Sequence, residues 1–198
     1  MAEVELPNPE ELHERRENRF SRRVALVTAL YAVLLAISAL GGNHAMKEML
    51  LAQQKSSDQW AFYQAKVIRE HQYRGQRLRL EADLAERGPS IRPEARDKLD
   101  GLLKKFEEEE RRYGEEKKDI EKEAKAFEHE RDVWQAKDPY FLFAEALLQI
   151  AIVMSSVSIL SHSRIIFGFS VVLATAGALL AANGYFSFFH FPLLPGAH

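Results

Sequence analysis

Residues 24–40 carry no charged side chain, nor do residues 165–182, and a third run, 141–160, carries only Glu145. Each run is close to the ~20 residues that an α-helix needs to cross ~30 Å of hydrocarbon. A segment in lipid must bond every backbone N–H and C=O internally, which a helix does within itself. Three such runs in 198 residues predict an all-α membrane protein with three transmembrane helices.

Whole-chain averages conceal this pattern, since charged residues make up 28% of the chain and the net charge is −2. The charge is segregated: 22 of 29 acidic and 21 of 27 basic residues fall within 41–140. The expected organisation is therefore a tail with a short amphipathic helix over 1–23, transmembrane helices over 24–42, 139–160 and 165–184, a long helical hairpin over 43–138, and an aromatic tail over 185–198. The 23 residues before the first run exceed the short basic region of a cleaved leader, so the run reads as an anchor. Basic residues flanking a span stay on the cytoplasmic side. Arg19, Arg22 and Arg23 precede the first run and Arg164 lies in the short link at 161–164. This places the N-terminus and the link inside, with the hairpin and C-terminus outside. Asn8 as cap, Pro9 at N1 and Glu11 at N3 read as a helix start, and Arg15, Arg16, Arg19, Arg22 and Arg23 as contacts to anionic lipid.

Within the hairpin the strong breaker is Gly88-Pro89, and the turn is expected at 88–93. Asp138-Pro139 reads as N-cap and N1 of the second span, and Gly41-Gly42-Asn43 as a bend at the other junction. In the second arm Leu99, Phe106, Tyr113, Ile120, Phe127 and Trp134 recur every seven residues, and Phe141 continues the column. Such a column predicts the seam of an antiparallel coiled coil. Bulky knobs need small sites, and Ser57, Ala61 and Ala65, followed by Ile68, Gly75 and Ala82, are the expected ones.

The first arm differs from the second near the membrane. Residues 117–137 carry twelve charges, whereas 48–68 carry four. Water is a poor neighbour for that weakly charged belt, and one partner arm cannot cover every face of it. Gln53, Gln54, Ser57, Gln59, Trp60, Ala61, Phe62, Tyr63, Gln64 and Ala65 are expected to form helix–helix contacts in the hairpin or a homo-oligomer. Small-residue ladders at Ala25, Ala29, Ala32, Ala36 and Ala39, and at Ser170, Ala174, Ala178 and Ala182, suit close helix packing in lipid.

The string AQQKSSDQWAFYQAK after a first span, followed by two closing spans, resembles the bacterial membrane family described as domain of unknown function DUF4337. The resemblance implies a bacterial inner-membrane location and no particular activity.

Chemistry is sparse. Glu145, Gln149 and Ser156 form a polar stripe at i, i+4 and i+11 in the second span. An intramembrane acid suggests an ion or proton path, and a hydrogen-bonded helix contact is the simpler expectation. The seven histidines have no metal-ligand spacing, no cysteine occurs, and no nucleotide-binding, hydrolase or metalloprotease motif is present. No catalytic, cofactor-binding or metal-binding residue is expected, and a net charge of −2 gives no footprint for nucleic acid. The expected function is non-enzymatic: a homo-oligomeric, multi-pass inner-membrane protein in contact with lipid, presenting a periplasmic coiled coil for scaffolding or for an unidentified protein partner. The alternative is a pore or transport component built on the polar stripe.

Overall fold

The computed structural model describes residues 9–87 and 90–189. It contains three α-helices: α1 (Pro9–Arg87, 79 residues), α2 (Pro93–Leu160, 68 residues) and α3 (Arg164–Phe186, 23 residues). No strand occurs among the described residues. The break between α1 and α2 falls where the breaker sequence predicts it, although Gly88 and Pro89, like Asn8, lie outside the described residues.

Two expected interruptions are absent. Helix α1 runs through Gly41-Gly42-Asn43, and α2 runs through Asp138-Pro139. Pro139 lacks the N–H that would bond back to Gln135, yet the helix is not ended there. The reason is tertiary. Trp134 and Phe141, on either side of Pro139, lie in one heptad phase, and both are at least partly buried. Burial of that column outweighs a local penalty. The short amphipathic helix expected within 1–23 is not separate either, because α1 is continuous from Pro9.

The chain divides into two compact units, Met1–Glu48 with Val133–His198, and Met49–Asp132. The first is apolar. All three helices are long and apolar enough to cross a membrane. Its centre packs Tyr31, Leu148, Ala151 and Ala174 against Val27, Leu34, Leu35, Ile152 and Leu173. Small and hydroxylated residues are inside, with Ser38, Ser155, Ser158 and Ser170 fully buried. Large aliphatic residues are outside: Leu26 is 67% exposed and Leu160 84%. Water would penalise that distribution, whereas helices in lipid associate through small residues and interhelical hydrogen bonds.

Glycines in this unit serve close approach. A Cβ on Gly41 would lie 2.5 Å from Phe141 Cε1, and one on Gly184 would lie 2.9–3.1 Å from three carbons of the same ring. Phe141 is thus wedged between bare backbone of α1 and of α3, with Tyr185 edge-on at 5.0 Å. The Tyr185 hydroxyl donates to the Ile37 carbonyl at 2.9 Å. Beyond α3, Ser187 adopts a left-handed conformation and Asn183 clamps Phe189 by two hydrogen bonds of 2.8 Å.

The second unit is hydrophilic. Contacts between its two helical stretches pair early residues of one with late residues of the other: Gln53 with Arg131, Trp60 with Glu128, Lys66 with Glu116 and Arg77 with Glu110. The two stretches therefore run in opposite senses.

Candidate functional site

The heptad column of α2 lies against α1 over much of its length. Tyr113 and Ile120 are buried, and Leu99, Phe106 and Phe127 are half-buried; in the apolar unit Trp134 is half-buried beside His44, 5.3 Å away. Tyr113 has the densest surroundings. Its ring stacks on Tyr73 at 5.7 Å, its hydroxyl accepts from Arg69 and Arg112, and Lys66 sits 5.1 Å above the ring. The two guanidiniums pull the phenol below its ordinary value of 10.0, and a hydrogen bond from Lys66 lowers the Glu116 carboxyl below 4.5.

The α1 face opposite this column is not the expected one. Ser57, Ala61 and Ala65, with Ile68, Gly75 and Ala82, are all exposed. The residues turned toward α2 are Ala52, Ser56, Gln59, Tyr63, Lys66, Glu70, Tyr73 and Arg77, all buried or half-buried. Sequence reasoning missed this face because it sought small sites for the aromatic column, whereas most members of this face are large and three are charged. Lys66, Glu70 and Arg77 are tolerated there because Glu116, Lys117 and Glu110 meet them across the seam. The clue was strict alternation by four and three from Ala52 to Arg77, irrespective of polarity.

The belt at 53–65 therefore splits. Gln53, Gln59, Trp60 and Tyr63 belong to the α2-facing side: Gln53 accepts from Arg131 at 3.0 Å, and the Trp60 indole donates to Glu128 at 2.9 Å while packing edge-on against Tyr63. Gln54, Ser57, Ala61, Phe62, Gln64 and Ala65 point outward. On that outer face Leu50, Gln54, Ser57, Ala61, Gln64, Ile68, His71, Gly75, Leu78 and Ala82 recur by four and three, and every one is exposed. None is an acid, lysine or arginine. At 1.5 Å per residue the stripe is ~48 Å long.

In the apolar unit, Ala25, Ala29, Ala32 and Ala36 are exposed and Ala39 is half-buried, so this ladder is largely unused within the chain. Ala174 is buried and Ala178 and Ala182 half-buried, in a helix where a Cβ on Gly177 would lie 3.1 Å from the Ala144 carbonyl oxygen. The polar stripe is not brought together inside the chain. Glu145 is half-buried near Gly42, Gln149 is exposed, and the exposed Ser156 hydroxyl donates to the Ile152 carbonyl of its own helix. The hydroxyls that do converge are one position away. Ser155 donates to Ser170 at 3.0 Å, Ser170 to the Phe167 carbonyl at 2.7 Å, and Ser158 to the Ser155 carbonyl at 2.7 Å. Ser155 extends the column Trp134, Phe141, Leu148, a signal that could have identified it. Among the described residues the Ser38 hydroxyl is buried without a hydrogen-bond partner.

Among the described residues no group of His, Cys, Asp or Glu could hold a metal ion. No curated protein and no solved structure matches the chain. The sequence profile of one family matches residues 20–187. That match covers most of the length, and the chain belongs to the family described as domain of unknown function (DUF4337).

Proposed function

We propose that the protein is a non-enzymatic, homo-oligomeric component of a bacterial inner membrane, in which the hydrophilic unit forms an antiparallel coiled-coil hairpin on the periplasmic side for scaffolding or partner docking. The observation that carries this reading is the uncharged outer stripe of α1. A 3.5-residue repeat is what a second helix selects, and a solvated helix face in so charged a region would carry charges. Copies inserted in one membrane with one orientation present this stripe in the same sense, so α1 meets α1 in parallel. The exposed alanines at 25, 29, 32 and 36 offer close contact on the apolar part of the same helix.

The orientation rests on the arginines that flank the first apolar run, and the membrane assignment on three apolar helices with large aliphatic residues turned outward. The pore reading has less support: Gln149 and Ser156 are exposed and Glu145 is half-buried, so most of the stripe lies on the outer side of α2 and not between helices of the chain.

Ala61→Glu tests the assembly. It places a carboxylate at the centre of the stripe without touching the α2-facing side. Light scattering of the detergent-solubilised protein should show dissociation with helical content unchanged. An oligomer of unaltered mass would sink the proposal.

A further inference from the structure

Where α1 and α3 meet, Arg19, Phe20, Arg23, Arg164 and Phe167 enclose a cleft of about 580 Å³. Three guanidiniums line it, and among the described residues no carboxylate does. None of the three arginines forms an ion pair within the described residues, whereas most charged residues of the α1–α2 seam do. The cleft has a second, apolar wall. Phe20 and Phe167 pack edge-to-face with centroids 6.0 Å apart, and both are half-buried. Arg23 directly precedes the uncharged run that starts at Val24, and Arg164 is the first residue of α3, whose cap is Ser163. The N-terminal end of that 23-residue helix adds partial positive charge beside Arg164.

We propose that this cleft binds the phosphate headgroup of an anionic phospholipid. Guanidinium forks match phosphate oxygens in pairs. A free anion would use the arginines alone and leave the phenyl wall idle. An amphiphile uses both: its phosphate meets the guanidiniums, and the first carbons of its chains lie along the Phe20 and Phe167 rings. The chains then follow an apolar exterior that is already exposed, with Ile165 at 74% and Phe169 at 60%. Basic clefts between apolar helices recognise anionic headgroups on this principle. The inference rests on the apolar helices lying in a membrane and is independent of the oligomer.

The test uses the full-length protein purified in a neutral detergent. Native mass spectrometry follows retention of phosphatidylglycerol, of phosphatidylcholine and, in a separate arm, of phosphatidylglycerol in the presence of millimolar inorganic phosphate. The expected result is selective retention of phosphatidylglycerol that inorganic phosphate does not displace. Arg164→Gln and Arg23→Gln should each weaken retention about five-fold, in line with the loss of one basic contact near an anionic surface. Arg164→Lys should weaken it less than Arg164→Gln, because the charge is kept while the paired hydrogen bonds are lost, and Arg74→Gln, in the hydrophilic unit, should leave it unchanged. Equal retention of the two lipids, full displacement by inorganic phosphate, or no effect of the cleft substitutions overturns the proposal. Co-flotation of the protein with phosphatidylcholine vesicles tests the membrane assignment separately. A protein that floats with those vesicles but shows no headgroup preference refutes the cleft alone.

Discussion

Gly184→Ala examines the Phe141 wedge. The added Cβ would sit 2.9, 3.0 and 3.1 Å from three ring carbons, where ordinary contact begins near 3.4 Å. The ring must yield by roughly half an ångström, and on its other side Gly41 has no room, since its own Cβ would be 2.5 Å from Cε1. Overpacking of this kind costs ~1–3 kcal/mol, partly offset by the ~1 kcal/mol by which alanine favours a helix over glycine. Gly168→Ala isolates the second effect, because a Cβ there meets nothing within 4 Å and the residue lies in the same helix. The difference between the two variants is the steric cost alone. For a chain of this size ~1–3 kcal/mol corresponds to about 2–12 °C in the melting temperature. Thermal unfolding in detergent, followed by tryptophan fluorescence, should place Gly184→Ala below Gly168→Ala by that margin. Phe141→Leu should remove most of the difference when combined with Gly184→Ala. The reasoning is refuted if the two alanine variants melt together, or if the leucine background leaves their separation intact.

The Glu116 carboxyl is held below its ordinary 4.5 by the Lys66 ammonium. A folded value below the unfolded one means that its contribution is complete above about pH 4.5 and is lost as pH falls through the folded value. Lys66→Gln should raise the carboxyl's NMR titration midpoint toward the ordinary value and remove the extra acid sensitivity of the hydrophilic unit; an unmoved midpoint contradicts the pairing. Ala124 is fully buried in the seam. Ala124→Leu should cost ~1–3 kcal/mol and speed amide exchange between residues 117 and 131, whereas the same change at the exposed Ala65 should leave exchange there unaltered.

Helical type was legible because both signals were long, whereas the number of helices was not, since six expected helical segments fuse into three helices. Uncharged runs of seventeen residues or more and a seven-residue aromatic column leave little choice but helices. What misled was local chemistry. Proline and paired glycines are strong breakers in isolation, and here they lie inside continuous helices: the heptad phase is kept across Pro139, and Gly41 makes space for Phe141. The facing side of α1 differs from the expected one because small residues were sought opposite the aromatic column, and the small residues at 57, 61, 65, 75 and 82 lie on the exposed face. Ala52, Gln59, Lys66 and Tyr73 differ in every chemical respect and share only their position in the repeat. The basic cleft could not be read from the sequence, since Arg23 and Arg164 are separated by most of the chain.

The charges across the α1–α2 seam have a consequence for alignment. A column repeating every seven residues would accept a slip of one heptad without losing its aromatic contacts. A slip in one sense would set Glu70 against Glu110 and leave Arg77 opposite Leu103. A slip in the other would set Arg77 against Lys117 and leave Glu70 opposite Ala124. Only the observed pairing joins Glu70 to Lys117 and Arg77 to Glu110 while keeping Lys66 on an acid. The repeat thus sets the pitch of the contact, and two ion pairs, Glu70–Lys117 and Arg77–Glu110, act as its vernier, since Lys66 would meet Glu109 or Glu123 after either slip; they choose one notch among several that the apolar residues alone would treat as equal.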